Sequence, residues 1–221
     1  TRTRDELFAY FEGLTQERRS APRDDLISAL ATAEPGGEAL RLDELLPYYL
    51  LLMFAGNDTT RNTISGGTLA LIEHPDQRQK LIHDPSLIDS AVEEMLRWVT
   101  PVMWFRRTPT PDVELRDAQI KENDKLVIWY ASGSRDEAVV DDPMRFDVTR
   151  GSVGHQAFGG GGRHFCLGSS LARLELKALF PELLRRMPDM QLAGPVGRSE
   201  SNWVNGFTSL PVTFSPTQPG R

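Results

Sequence analysis

The stretch Phe158-Gly159-Gly160-Gly161-Gly162-Arg163-His164-Phe165-Cys166-Leu167-Gly168 holds the single cysteine of the chain, shortly after four consecutive glycines. A glycine costs about 0.5–1 kcal/mol against alanine in regular structure. Four in a row make sense if the main chain must pass close to something broad and flat. The helical pattern LGSSLARLEL follows at once, placing Cys166 at a helix start. There, unpaired N–H groups and the positive helix end favour a thiolate.

Taken alone, the stretch has several readings. His155, His164 and Cys166 suggest zinc, but a structural zinc site wants four ligands at CxxC-type spacing, which is absent. A nucleophilic cysteine wants a paired histidine, and His164 is poorly placed for it. A phosphate loop wants GKS/T after a strand. A lone cysteine is often simply core. A thiolate beneath a flat macrocycle is how one class of oxygen-activating enzymes holds haem iron.

The 221 residues carry a net charge of −6, which argues against nucleic-acid and anionic-membrane partners. One cysteine forms no internal disulfide. The most apolar run, Leu45 to Ala55, is shorter than the roughly 18–20 residues that span a bilayer. No signal peptide is apparent, so a cytoplasmic location is expected. The chain starts at Thr1 directly in a helical pattern, which reads as a fragment cut on its N-terminal side.

Apolar spacing predicts helices over about 4–19, from Pro22 onward with Asp24 and Asp25 in the first turn, over 42–74, 75–84 and 86–99, and over 167–187 with an interruption at Pro181. Residues 34–37 read as a loop. Short β-type runs (WFRRT, DVEL, AQI, KLVIWYAS) follow from Trp104, with KEND at 121–124 as a hairpin turn. Residues 141–157 look irregular, and MQLAG, NWVNGF and LPVTF suggest strands in the tail. The expected class is mainly α with a minor antiparallel β component.

The long helix breaks its own rule at AGNDTTRN, 55–62, where five poor helix formers stand together. One reading is a helix opened locally for a guest, with Gly56 admitting a flat ligand, Thr59 bonding its hydroxyl to a preceding carbonyl or to the guest, and Asp58 supplying a carboxylate that can pass protons. The other is two helices joined by a turn, with Asp58 as N-cap.

AGNDTT, EEMLR at 93–97 and FGGGGRHFCLG, in this order, resemble the cytochrome P-450 superfamily of haem-thiolate monooxygenases, and the resemblance covers essentially the whole chain as the C-terminal portion of that fold. It implies a single domain over 1–221, incomplete on its N-terminal side. It further implies haem b (iron protoporphyrin IX), with Cys166 as axial ligand of the iron. Asp58 and Thr59 become the acid–alcohol pair that delivers protons, and Ala55 and Gly56 the place where the central helix kinks. Phe158, Gly159 and Gly168 belong to the cofactor loop, and His164 and Arg107 meet the haem propionates, with Arg106 as competitor of Arg107. Glu94 and Arg97 brace the core, i and i+3 on one helix face. A third arginine is either Arg145 or Arg150.

Phe158 stands eight positions before Cys166, one more than the common pattern, as in a bacterial subgroup acting on branched lipids and sterol side chains. The implied reaction inserts one atom of O2 into a C–H bond of a lipophilic substrate (a terpenoid, alkane, branched lipid or steroid side chain). Val102, Met103 and Phe207 are the expected substrate contacts. A separate ferredoxin and ferredoxin reductase supply electrons, and Arg163 and Arg173 are candidates for greeting the ferredoxin. The competing expectations are a haem-thiolate protein that does not activate oxygen and a silent, truncated helical domain.

Overall fold

The computed structural model describes residues 2–215. The chain forms two compact units, Thr1–Asp58 and Thr59–Arg221.

The first unit is helical. α1 (Arg2–Ser20) and α2 (Leu26–Ala31) are joined through Arg18, whose Nε donates to Asp25 at 2.8 Å. The stacked rings of Phe11 and Tyr49, 5.1 Å apart, hold α1 to the start of α3 (Leu42–Glu73). Pro22 lies outside α2. Asp25 caps it instead, accepting from the Ser28 backbone N–H at 2.7 Å, because a carboxylate satisfies an orphan N–H and a proline cannot. Residues 35–37 form a 3₁₀ turn rather than an open loop.

α3 runs unbroken through AGNDTTRN, so neither the opened helix nor the two-helix reading holds. Just beyond the stretch, the Thr63 hydroxyl donates back to the Thr59 carbonyl at 2.9 Å, a bond to the residue four positions earlier that the continuous helix brings within reach. Gly56 is therefore a helical glycine, and an added Cβ there would meet nothing.

In the second unit, α4 (Pro75–His83), α5 (Ile88–Val99) and α7 (Ser169–Arg186) pack with the C-terminal part of α3. Leu71, Val92, Met95, Leu96, Phe146, Leu176 and Phe180 form the core. A Cβ on Gly67 would come within 2.9 Å of the Phe180 ring and 3.0 Å of the Met95 sulfur, so close approach fixes glycine there. α7 is not interrupted by Pro181: buried Leu176, Phe180 and Leu184 hold it on both sides of the lost hydrogen bond.

The strands are short antiparallel pairs. β1 (Trp104–Arg107) pairs with β4 (Leu126–Trp129), and β2 (Val113–Leu115) with β3 (Ala118–Ile120). α6 (Tyr130–Gly133) continues from β4. β5 (Gln191–Leu192) pairs with β8 (Val212–Thr213), and β6 (Gly197–Arg198) with β7 (Phe207–Ser209). KEND is not a hairpin turn, since β3 and β4 pair with different strands. The β2–β3 hairpin turns at Arg116–Asp117, with Arg116 at φ 55. The mainly helical class with minor antiparallel β is the observed one. Among the described residues no helix is long and apolar enough to cross a membrane.

Candidate functional site

Cys166 is not the first residue of α7. It precedes Ser169 by three positions, in a loop closed by its own N–H, which donates to the Phe158 carbonyl at 3.1 Å. Its carbonyl accepts from the Ser169 N–H at 3.2 Å. The glycines explain the path. Gly159, Gly161 and Gly162 have φ of 83, 98 and 73°, a region that residues with a Cβ rarely enter. Gly161, with ψ −169°, sits where almost only glycine is found. Gly168 has an ordinary φ of −84° and stands at the N-cap of α7. The Cys166 residue is exposed, as is His164 on the 3₁₀ turn Gly162–His164.

Arg107 is brought to this loop through a residue that the sequence reading passed over. Its Nη2 lies 3.4 Å from the hydroxyl of buried Tyr130, and its Nη1 donates to the Arg106 carbonyl at 2.9 Å. A Cβ on Gly159 would stand 3.6 Å from the same Tyr130 hydroxyl. Arg106, next along β1, is exposed.

Beneath the loop, α5 carries the ExxR pair. Glu94 and Arg97 have fully buried side chains. Arg97 uses all five of its N–H groups: two reach Glu94 (2.7 and 2.8 Å), and three reach the carbonyls of Ser134 (3.1 Å), Pro143 (2.9 Å) and Arg145 (3.2 Å). Glu94 also accepts from the Asp147 N–H at 2.9 Å and from Arg150 Nε at 3.2 Å. The third arginine is thus Arg150. The Arg145 side chain is 56% exposed and pairs with Asp147 at 3.1 Å; the node uses only its carbonyl. Ser134 links the node to the cysteine loop, its hydroxyl oxygen accepting from the Gln156 N–H at 3.0 Å.

Arg173 is not a free surface cation. The inward face of α7 runs Ser169, Arg173, Leu176, Phe180, Leu184, and that spacing carries the signal the sequence reading missed. Arg173 clasps Glu93 with two hydrogen bonds, 2.6 and 2.9 Å. Burial opposes ionisation of Glu93, but the hydrogen bonds from Arg173 and His155 and the charge of Arg173 outweigh it and hold the carboxyl at about 2. Arg163 is exposed.

Asp58 and Thr59 are successive residues of α3, and Ala55, Gly56 and Asp58 belong to the first unit. Val102 forms an isolated bridge with Val204. The Met103 N–H donates to Trp203 and its carbonyl accepts from Tyr130. Phe207 is buried under the Arg198 guanidinium, 4.1 Å from its ring centre; a Cβ on Gly66 would stand 3.3 Å from its ring, and Phe207, Gly66 and Val99 line a cavity of about 250 Å³.

The model of the cytochrome P450 family matches residues 1–188, a range that includes α3, the ExxR helix and the cysteine loop. A methyl-branched lipid omega-hydroxylase of Mycobacterium tuberculosis is 44% identical over 211 residues, 95% of this chain and 49% of that protein. A steroid C26-monooxygenase of Mycolicibacterium smegmatis is 40% identical over 220 residues, 97% of this chain and 55% of that protein. A cytochrome P450 of Mycobacterium marinum in complex with pseudoionone superposes with a TM-score of 0.90 at 46% identity, over 95% of this chain and 50% of that one. The chain spans about half the length of the curated relatives it matches. On the family match and these likenesses together, the chain belongs to the cytochrome P450 family.

Proposed function

We propose that this chain is the haem-thiolate portion of a monooxygenase that inserts one atom of O2 into a C–H bond of a lipophilic substrate. The observation that carries this reading is Cys166: an exposed sulfur-bearing residue on a loop bent by Gly159, Gly161 and Gly162 into conformations that only glycine adopts readily. The residues present fit haem b. An added Cβ on Gly161 or Gly162 would meet no protein atom within 4 Å, so this turn of the cysteine loop borders open space. Haem b would supply the binding and reductive activation of dioxygen.

The roles of the chain's own residues then follow. Cys166 would hold the iron through its thiolate, its main chain held by the bond to Phe158. Arg107, set by Tyr130 and the Arg106 carbonyl, and His164 would meet the propionates as charge-assisted donors. The Asp58 carboxylate and the Thr59 hydroxyl, adjacent on α3, would relay protons and restrict uncoupled loss of oxygen. That pair favours oxygen activation over a haem-thiolate protein that does none. Val102 and Met103, pinned by bonds to the Val204 and Trp203 segment, would contact an apolar substrate. Phe207, buried under Arg198, would add its ring to that apolar contact. Electrons would come from a ferredoxin and its reductase, with exposed Arg163 available to an acidic partner.

The names of the relatives support terminal hydroxylation of a branched lipid or steroid side chain as the substrate class. The test starts with the carbonyl complex of the reduced, haem-loaded protein. The red-shifted Soret band of thiolate ligation is expected, and Cys166→Ala should abolish it. A chain that takes up no haem favours the silent-domain alternative. Offering cholest-4-en-3-one, linalool and octane with a ferredoxin system should yield terminal alcohol from at least one, and no product from any would sink the substrate class.

A further inference from the structure

We propose that Arg173 is a positioning residue for the cysteine loop, clamping it to α5 through Glu93 and to its own aromatic base through Phe158; this rests on reading Cys166 as the haem ligand. The Arg173 guanidinium does two things at once. It makes a two-pronged bond to Glu93 on α5, and its carbon centre lies 4.5 Å from the centre of the Phe158 ring. Phe158 is the residue whose carbonyl accepts the Cys166 N–H. The cysteine backbone is thus tied to a ring that the arginine covers.

A third contact closes the cluster. The Ala157 N–H donates to His155 Nδ1 at 3.2 Å, so that nitrogen carries no proton, and Nε2–H donates to Glu93 at 3.1 Å. The backbone thereby selects one neutral tautomer, and both ends of the loop segment 155–158 converge on Glu93 and Arg173. The rings of His155 and Phe158 lie 5.8 Å apart, and that of Phe165 sits 6.3 Å from Phe158. Arg173 is held above its ordinary pKa first by the bonds to Glu93, against the opposing effect of burial, with attraction to Glu93 and then to Cys166 adding to it. Through that ring and its carbonyl, Arg173 sets where the cysteine backbone stands and places a cation at the base of its loop.

Two substitutions separate these effects. Arg173→Gln removes the charge and the fork; Arg173→Lys keeps the charge but loses the planar fork and its stacking. In the haem-free chain, amide hydrogen exchange at Cys166 and its loop neighbours should rise by roughly tenfold in Arg173→Gln and nearly as much in Arg173→Lys, with the α4 and α5 core unchanged. In the haem-loaded protein, Arg173→Gln should lower the midpoint reduction potential, because a sulfur without its neighbouring cation donates more strongly, whereas Arg173→Lys should restore it. Unchanged loop exchange in Arg173→Gln, an equal rise across the whole chain, or an unmoved potential would each overturn the proposal. A wild-type chain that takes up no haem would sink the haem-thiolate reading instead, and the exchange comparison still decides whether Arg173 positions the loop.

Discussion

The Glu94–Arg97–Arg150 node and the cysteine loop lie side by side in the same unit and are built on opposite principles. In the node every polar atom is answered from within the chain. Glu94 and Arg97 are fully buried, and their partners are fixed carbonyls, one backbone N–H and one more arginine. In the loop the N–H groups of Gly159, Phe165 and Cys166 are answered by nearby backbone carbonyls, and His164 and Cys166 are exposed beside glycines bent to positive φ. The closed node holds the irregular segment 134–150 in place. The open loop leaves the cysteine exposed. Charges buried without such complete pairing would cost several kcal/mol, which is why the node tolerates little change while the loop is constrained by backbone conformation.

The sharpest way to break that contrast is to leave the node its charge and take away its geometry. Arg97→Lys supplies three donors from one point where five acceptors stand around a planar fork. The expected cost is about 3–5 kcal/mol, read as a fall in the urea unfolding midpoint. A midpoint equal to wild type would mean that the node is not the brace described. The loop should respond less, and selectively. Gly161→Ala forces a side chain into a conformation that is almost glycine's alone and should cost about 1–3 kcal/mol. Gly168→Ala, at φ −84° with open space around the new Cβ, should be close to neutral in the same urea titration. Equal costs for the two glycines would remove the argument from backbone conformation.

Much of the node was legible before any coordinates. Glu94 and Arg97 stand i and i+3 in a helix whose limits periodicity located well, and the end of α3 followed from Pro75. What the sequence concealed was set by contacts between distant segments. Arg150 and Arg145 are equivalent as letters, and only the fold turns one inward to Glu94 and leaves the other at the surface. The AGNDTTRN stretch looked like a break because its residues are poor helix formers individually. The back-bond from Thr63 to the Thr59 carbonyl is a property of the formed helix, not of composition. KEND carries the residues of a turn and does turn, but strand pairing with β1 rather than β3 decided what it connects. Tyr130 was hidden as the end of a strand, although it stands between Arg107 and Gly159.

A smaller effect should appear at the seam between the two regions, where Glu93 is held at about 2 against an ordinary 4.5 by Arg173 and His155 acting against burial. A carboxyl with a depressed folded-state pKa contributes stability that is complete above its unfolded value and fades as pH falls through the folded one. Wild type should therefore exceed Glu93→Gln in thermal stability above about pH 4.5, and the gap should close as the pH approaches 2. A gap that stays constant across that window would show that the carboxylate charge is not what binds Arg173.

The smallest expected effect tests which parts of the node belong to it. Arg145 contributes its main-chain carbonyl to both Arg97 and Arg150, at 3.2 and 2.7 Å, while its guanidinium lies mostly in solvent beside Asp147. Alanine keeps the carbonyl and loses only the exposed pair, so Arg145→Ala should cost no more than about 0.2–1 kcal/mol. Arg150→Ala is different in kind. It strips a donor from Glu94 and leaves the carbonyls of Asp141, Asp142 and Arg145 short of theirs. It should therefore destabilise the chain by more than Arg145→Ala in the same urea titration, on the order of 1.5–3 kcal/mol for bonds to a charged group. If Arg145→Ala proves as damaging as Arg150→Ala, the side chain of Arg145 has a role in the node that its exposed pairing with Asp147 does not explain.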